Sequence, residues 1–260
     1  MRCAVVGHVE VVEFALVPEL PSAGSIVHAE ETFTEPAGGG SVVARQLALL
    51  AGRCEFFTTL GSDELGWWSQ RRLAELGIDV HARFDGATRR AWTHVDGAGE
   101  RTITVLGDKL LARGPLPLHG YDLCFFVSGD AEALRSARAA RFLAASAREL
   151  PTLREAQVAI DLLVGSANDP GEAIDESVAA TTVVRTDGAN GGVANGERYD
   201  PVRAEYVVDT YGAGDSFAAA VAFALTRGDD LAAALALGAR AGAAVVAGAG
   251  PYSSQLALSE

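Results

Sequence analysis

The sequence predicts an α/β protein built on a mostly parallel sheet, with a small antiparallel sheet standing off it. Strand-like runs at Cys3–Val6, Cys54–Leu60, Leu123–Val127, Val158–Leu162 and Val183–Thr186 alternate with helical stretches at 40–51, 64–76 and 131–148. Alternation of that kind implies crossover units, which join parallel strands. Two further segments, 9–34 and 89–105, mix polar and apolar residues over strand length, the second around an Asp96-Gly97-Ala98-Gly99 turn, and these supply the antiparallel sheet. Of 260 residues 49% are hydrophobic, enough for one substantial core, so the whole of 1–260 is expected to form a single domain.

The elements follow in order. The run from Cys3 ends at Gly7 and begins the central sheet. Residues 9–34 then leave for the small sheet, and Ala37-Gly38-Gly39-Gly40 returns the chain to a helix that stops at Gly52. A second strand and helix follow, the helix entered through Gly61-Ser62-Asp63-Glu64-Leu65-Gly66. After the second of these segments, 89–105, come the strands near 123, 158 and 183, and then Asn195-Gly196, a two-residue hairpin signal between Val193-Ala194 and Glu197-Arg198-Tyr199. Helices near 216–227 and 231–247 close the chain, with no internal repeat and no low-complexity linker.

Formal net charge is −13, and Lys109 is the single lysine among 21 basic residues, so no broad basic face is available to nucleic acid and an anionic substrate must be held locally. Cys3, Cys54 and Cys124 are odd in number, lack metal-type spacing and lie in apolar runs, which reads as reduced, buried thiols in a cytoplasmic protein. No apolar run approaches the roughly 18 residues a membrane span needs, and Glu10 and Glu13 interrupt the N-terminal apolar stretch, so neither a membrane segment nor a targeting segment is expected.

The most informative stretch is Asp209-Thr210-Tyr211-Gly212-Ala213-Gly214-Asp215, running directly into an apolar helix. Glycines let the backbone turn sharply, and the free N–H groups and dipole of a helix start attract negatively charged oxygen. An acid at that mouth suits proton acceptance better than anion holding, and the pattern points to phosphoryl transfer. A Gly-x-x-x-x-Gly-Lys-Ser/Thr loop, the usual alternative for phosphate chemistry, is absent.

The heptapeptide resembles the C-terminal signature of the ribokinase-like (PfkB) carbohydrate kinases. Three further segments match that family in order: the 37–40 glycines; Gly61 to Gly66 with Leu73 to Val80 after it; and Thr186-Asp187-Gly188-Ala189-Asn190-Gly191. The resemblance implies a three-layer α/β/α sandwich in which the small sheet is a lid over the substrate and often the surface of a homodimer. It also implies an enzyme that moves the γ-phosphate of ATP to a hydroxyl of a small sugar-like or nucleoside-like alcohol. Asp215 then aligns with the general base, while Gly212, Ala213 and Gly214 offer amides to the transferring phosphoryl group. Thr186, Gly188, Gly191 and Asp209 align with nucleotide-side positions, Asp209 near a potassium site in relatives.

Magnesium is implied with ATP, and the family's Asn-x-x-Glu element corresponds to Asp169-Pro170-Gly171-Glu172, with Asp in place of Asn. Glu172 reads equally as a first-turn helix acid. On the substrate side the resemblance assigns Gly38 and Gly39, and departs from the pattern where sugar kinases carry Asp and Asn, because Val12 and Val43 stand there. Glu10 shares a strand face with Val12 and partly compensates; His8 is expected on the opposite face with Glu13. These departures make ribose a poor substrate and keep open a second reading, a sugar or nucleotide sensor without turnover.

Overall fold

A computed structural model describes residues 1–175 and 177–258. Its strands in chain order are β1 (Cys3–Val6), β2 (Glu10–Leu16), β3 (Glu31–Ala37), β4 (Cys54–Leu60), β5 (Ile78–Phe84), β6 (Arg90–Val95), β7 (Arg101–Leu106), β8 (Leu123–Phe126), β9 (Phe142–Ser146), β10 (Ile160–Ser166), β11 (Ala180–Thr186), β12 (Gly192–Ala194) and β13 (Glu197–Tyr199). The α-helices are α1 (Gly39–Ala51), α2 (Glu64–Glu75), α3 (Ala131–Ala137), α4 (Leu150–Ala156), α5 (Ala213–Arg227) and α6 (Leu231–Val245).

The main sheet runs β13-β12-β11-β10-β9-β8-β1-β4-β5. Every pairing from β11 to β5 is parallel, and β12 and β13 add an antiparallel hairpin at one edge. Strand side chains alternate between faces, and here both faces are covered. Cys3 and Val5 pack with Phe56, Phe125, Leu162 and the buried sides of α1, α5 and α6. Ala4 and Val6 pack on the other face with Phe126, Leu143, Leu163, α3 and α4. The result is an α/β/α sandwich, as expected.

Two elements differ from the sequence reading. Residues 131–148 are not one helix: α3 stops at Ala137 and β9 lies inside the stretch, inserted between β8 and β10. Leu143, Ala144 and Ala145 are all fully buried, so this strand shows no polar alternation, and its alanines favour a helical reading. Strand β5 is the other; its mixed burial follows from its place at the sheet edge. The hairpin at Asn195-Gly196 forms as read, with positive φ at both turn residues (48° and 89°).

The second sheet runs β3-β2-β6-β7, antiparallel at both outer pairs and parallel where β2 meets β6. That parallel join has a topological cause, since β2 and β6 each follow a strand of the parallel sheet, β1 and β5, and leave it at the same end. Val12, Phe14, Ala91 and Val95 from its inner face bury against Val42 and Tyr211, with Phe14 stacked on Phe33 at 4.7 Å and edge-on to Tyr211 at 5.1 Å. This cluster seats the lid on the start of α1 and on the signature loop. No helix among the described residues is long and apolar enough to cross a membrane.

Candidate active site

The sequence-predicted site residues gather beyond the carboxyl ends of the parallel strands, at the loops after β1, β8, β10 and β11 and the starts of α1 and α5, the usual place for a ligand in such a sheet. Helix α5 starts at Ala213 because Gly212 adopts φ 83°, a left-handed conformation that a side chain disfavours, and a Cβ there would meet Val42 Cγ1 at 3.0 Å. Gly214 faces the opposite situation. It is exposed, and a Cβ built on it would meet nothing within 4 Å. Of the first-turn amides, Ala213 N–H reaches back to Thr210 O at 3.4 Å, whereas those of Gly214 and Asp215 bond no described residue.

Asp215 stands half-buried in the first turn of α5, and its Oδ1 is 2.9 Å from where a Cβ on Gly39 would sit. The two glycine-rich turns therefore touch at the carboxylate. Burial, reinforced by the negative charge of Glu172, pushes the Asp215 carboxyl up to about 6, while Arg101 and Arg148 oppose the rise. A carboxylate in that range is ionised at neutral pH yet basic enough to take a hydroxyl proton. Its oxygens accept no hydrogen bond among the described residues.

Glu172 and Asp169 follow β10 on a 3-10 turn (Pro170–Glu172) capped by Asp169, whose Oδ1 accepts from Gly171 N at 2.8 Å. Arg148 bridges the pair, Nη2 donating to Asp169 Oδ2 at 2.5 Å and to Glu172 Oε1 at 2.9 Å, and Ser166 N–H donates to Glu172 Oε2 at 2.8 Å. Burial alone would raise Asp169, but the Gly171 amide and the Arg148 guanidinium outweigh it and hold the carboxyl below its ordinary range. With these oxygens already engaged, the pair fits a magnesium ion held through water better than one bound directly. Glu55, Asp79 and His81, the grouping of three with metal-ligand spacing among the described residues, lie on β4 and β5 and are already paired with Arg2 and Arg53.

On the nucleotide side, Thr186 ends β11 and Gly188 opens a 3-10 turn (Gly188–Asn190) whose far end, Gly191, has φ 83°. Asp209 is fully buried beneath the signature: its oxygens accept from Tyr211 N at 2.8 Å and Gly250 N at 2.9 Å. It is therefore placed to fix the loop's shape. The lid reaches this loop as well. Gly99 O accepts from Thr210 N and Oγ1 at 3.0 and 3.1 Å, and Arg101 Nη1 donates to Thr210 O and Oγ1, both at 2.9 Å.

On the substrate side, Gly38 has φ 94° and its N–H donates to Tyr211 Oη at 3.1 Å, which leaves the Gly39 amide as the unengaged one of the pair. Val12 and Val43 are both fully buried in apolar clusters. Glu10 is buried and ion-paired with Arg89 at 3.0 Å. His8 lies with Glu10 at Gly38 and not with Glu13: His8 Nε2 and Glu10 Cγ are 3.2 and 3.5 Å from where a Cβ on Gly38 would be. Even spacing along the chain places residues 8 and 10 on one side. Its Nδ1 shares a hydrogen bond with Ser128 Oγ at 2.9 Å, and burial with the fields of Lys109, Arg89 and Arg148 pushes the imidazole down to about 3.

Comparison with known proteins matches these features to a family. The profile of the pfkB family carbohydrate kinases matches residues 1–134 and 127–257. The chain belongs to the pfkB family. It is accordingly a carbohydrate kinase. No curated protein matches the sequence. Among solved structures, a nucleoside kinase of Methanocaldococcus jannaschii is similar at 18% identity and TM-score 0.76, covering 98% of this chain and 95% of that one. A Thermotoga maritima ribokinase is 21% identical with TM-score 0.77 and coverage of 99% and 96%. An Arabidopsis thaliana ribokinase complexed with ribose and ATP is 20% identical with TM-score 0.73 and coverage of 98% and 96%. At such identities the neighbours establish the ribokinase fold.

Four basic residues at this pfkB-family cleft escape sequence reading: Arg89, Arg101, Lys109 and Arg148. None lies in a recognisable motif, and only the fold brings their charges to bear on His8, Glu10 or Asp215.

Proposed function

We propose that the protein is an ATP-dependent kinase that transfers the γ-phosphate to a hydroxyl of a small sugar-like or nucleoside-like alcohol. The observation that carries this reading is the pairing, in one helix turn, of the raised and unengaged Asp215 carboxylate with open amides at Gly214 and Asp215. The carboxylate takes the proton of the attacking hydroxyl, and the open amides at the start of α5, Gly214 among them, stabilise charge on the transferring oxygens without reorganising, while Gly212 and Ala213 shape the turn that presents them. Bound ATP is given to the 186–191 turn and the α5 mouth, a reading supported by the ATP complex of the Arabidopsis neighbour.

Glu172 and Asp169, held together by Arg148, would hold a magnesium ion through water, and the ion would supply charge neutralisation of the phosphates. Asp209 sits under the loop where a potassium ion would be felt through the backbone. The lid latch from Gly99 and Arg101 to Thr210 excludes water so that ATP is not hydrolysed unproductively. The test combines thermal stabilisation by Mg-ATP with coupled ADP release over sugars and nucleosides. Stabilisation together with alcohol-dependent ADP release is expected; stabilisation without turnover on any alcohol would favour a sensor.

A further inference from the structure

One imidazole at the Gly38-Gly39 turn is left unused by the transfer chemistry. His8 is half-buried just past the end of β1, and its two ring nitrogens have different surroundings. Nδ1 lies 2.9 Å from Ser128 Oγ. Nε2 bonds no described residue and stays open to solvent, 3.2 Å from where a Cβ on Gly38 would sit. The hydrogen-bond network decides which nitrogen carries the proton. Ser128 is fully buried just past the end of β8, and its hydroxyl has no described partner except His8 Nδ1. Were Nδ1 the donor, the serine hydrogen would be buried without an acceptor, a costly arrangement. The hydroxyl therefore donates to Nδ1, and a neutral ring so held carries its proton on Nε2. Burial and the nearby cations keep the ring neutral at pH 7.

The place of this donor says what it meets. The open side of Gly38 faces His8 Nε2, and that of Gly39 faces Asp215 Oδ1 at 2.9 Å, so the donor and the base flank adjacent peptides. Little else there can donate to a substrate oxygen: Val12 and Val43 are apolar and fully buried, and Gly38 N–H is taken by Tyr211 Oη. An acceptor stands beside the imidazole. Glu10 Cγ lies 3.5 Å from the same point above Gly38, and while Glu10 Oε2 meets Arg89, Oε1 bonds no described residue. A hydroxyl accepts through its oxygen and donates through its hydrogen, which matches one donor and one acceptor set side by side.

We propose that His8 is a specificity-determining residue of the alcohol site, donating from Nε2 to a substrate hydroxyl other than the one that receives the phosphate, and that Ser128 is the positioning residue that fixes its tautomer. The substrate class is then an alcohol with a second hydroxyl near the reacting one. This rests on the kinase reading for turnover alone; the tautomer and the contact at Nε2 are measurable without it.

The experiment has two arms. In the first, nitrogen-15 NMR of the imidazoles reads the tautomer directly; the chain has five histidines, and the signal lost in His8→Gln assigns His8. Wild type is expected to show the proton on Nε2, Ser128→Ala a mixture of tautomers, and the Nε2–H signal is expected to move when a diol is added with Mg-ADP. In the second, glucose, ribose and adenosine are each paired with their 2-deoxy and 3-deoxy forms and assayed for Mg-ATP-dependent ADP release. Wild type should prefer the hydroxylated member of at least one pair on the order of 10-fold in kcat/KM, chiefly through KM. His8→Phe, which keeps a flat ring but no donor, should erase that preference, and His8→Gln, whose amide restores a donor, should recover part of it. A proton on Nδ1 in wild type would overturn the proposal, as would equal losses in His8→Phe for both members of every pair. If no alcohol is turned over, an Nε2–H signal that moves with the hydroxylated members and not with a deoxy form upholds the contact and sinks only the kinase reading; a signal that no alcohol moves overturns the proposal.

Discussion

Replacing Gly214 by alanine separates a structural role from a role at the transferring phosphoryl group. The position is helical, the second residue of α5, and a methyl there meets no protein atom within 4 Å. On folding grounds the substitution is favourable: Gly to Ala in a compatible helix lowers unfolded-state entropy by about 0.5–1 kcal/mol, which for a chain of this size raises Tm by roughly 1–4 °C. On catalytic grounds it is damaging, because the methyl projects into the space before the open amides. Displacing a reacting group there by about 1 Å costs on the order of 100-fold in rate. The assay is a melting curve beside kcat/KM for ADP release. A variant that melts at or above wild type and loses most of its activity is the expected outcome. A stable variant with undiminished kcat/KM would refute the placement of the phosphoryl group at this turn.

Other expectations follow from the same geometry. Because Asp215 is pushed up to about 6, kcat/KM falls as pH drops through about 6, and the limb reports the base. The same shift sets a stability trend: the folded state holds the proton more tightly than the unfolded chain, so the ionised carboxylate costs about 3 kcal/mol above pH 6 and nothing below about pH 4. Asp215→Asn should therefore melt several degrees above wild type at pH 7, with the gap closing at pH 4. Arg148 opposes the rise in Asp215, so Arg148→Gln moves the acidic limb to higher pH and weakens protection by Mg-ATP; a limb that stays in place argues against that coupling. Thr210→Val removes the hydroxyl shared by Gly99 and Arg101, and the measurable consequence is a larger fraction of ADP released without phosphorylated product. An unchanged coupling ratio would show that the latch does not exclude water.

Local information made the α5 mouth legible in the sequence. Gly212, Gly214 and Asp215 are contiguous, and the left-handed turn, the open amide and the carboxylate are properties of that short stretch. The parallel core was readable for a similar reason, since β1 and β8 are continuous apolar runs and β4 and β10 hold apolar stretches at Phe56-Phe57 and Leu162-Leu163-Val164. What escaped depends on contacts between distant segments. Gly38 N–H is taken by the Tyr211 hydroxyl, Glu172 is shared between Arg148 and Ser166, and Glu10 meets Arg89 only because β2 and β6 pair in the lid. Strand β9 escaped because a strand buried on both faces and built from Leu143, Ala144 and Ala145 has no period to distinguish it from a helix.

The account turns on Asp215 acting as the base, and the most direct measurement is the turnover of Asp215→Asn with any alcohol that wild type phosphorylates, at saturating Mg-ATP. The expected result is kcat reduced on the order of 10²–10⁴-fold with thermal protection by Mg-ATP retained. An Asp215→Asn enzyme that keeps wild-type kcat would contradict the account.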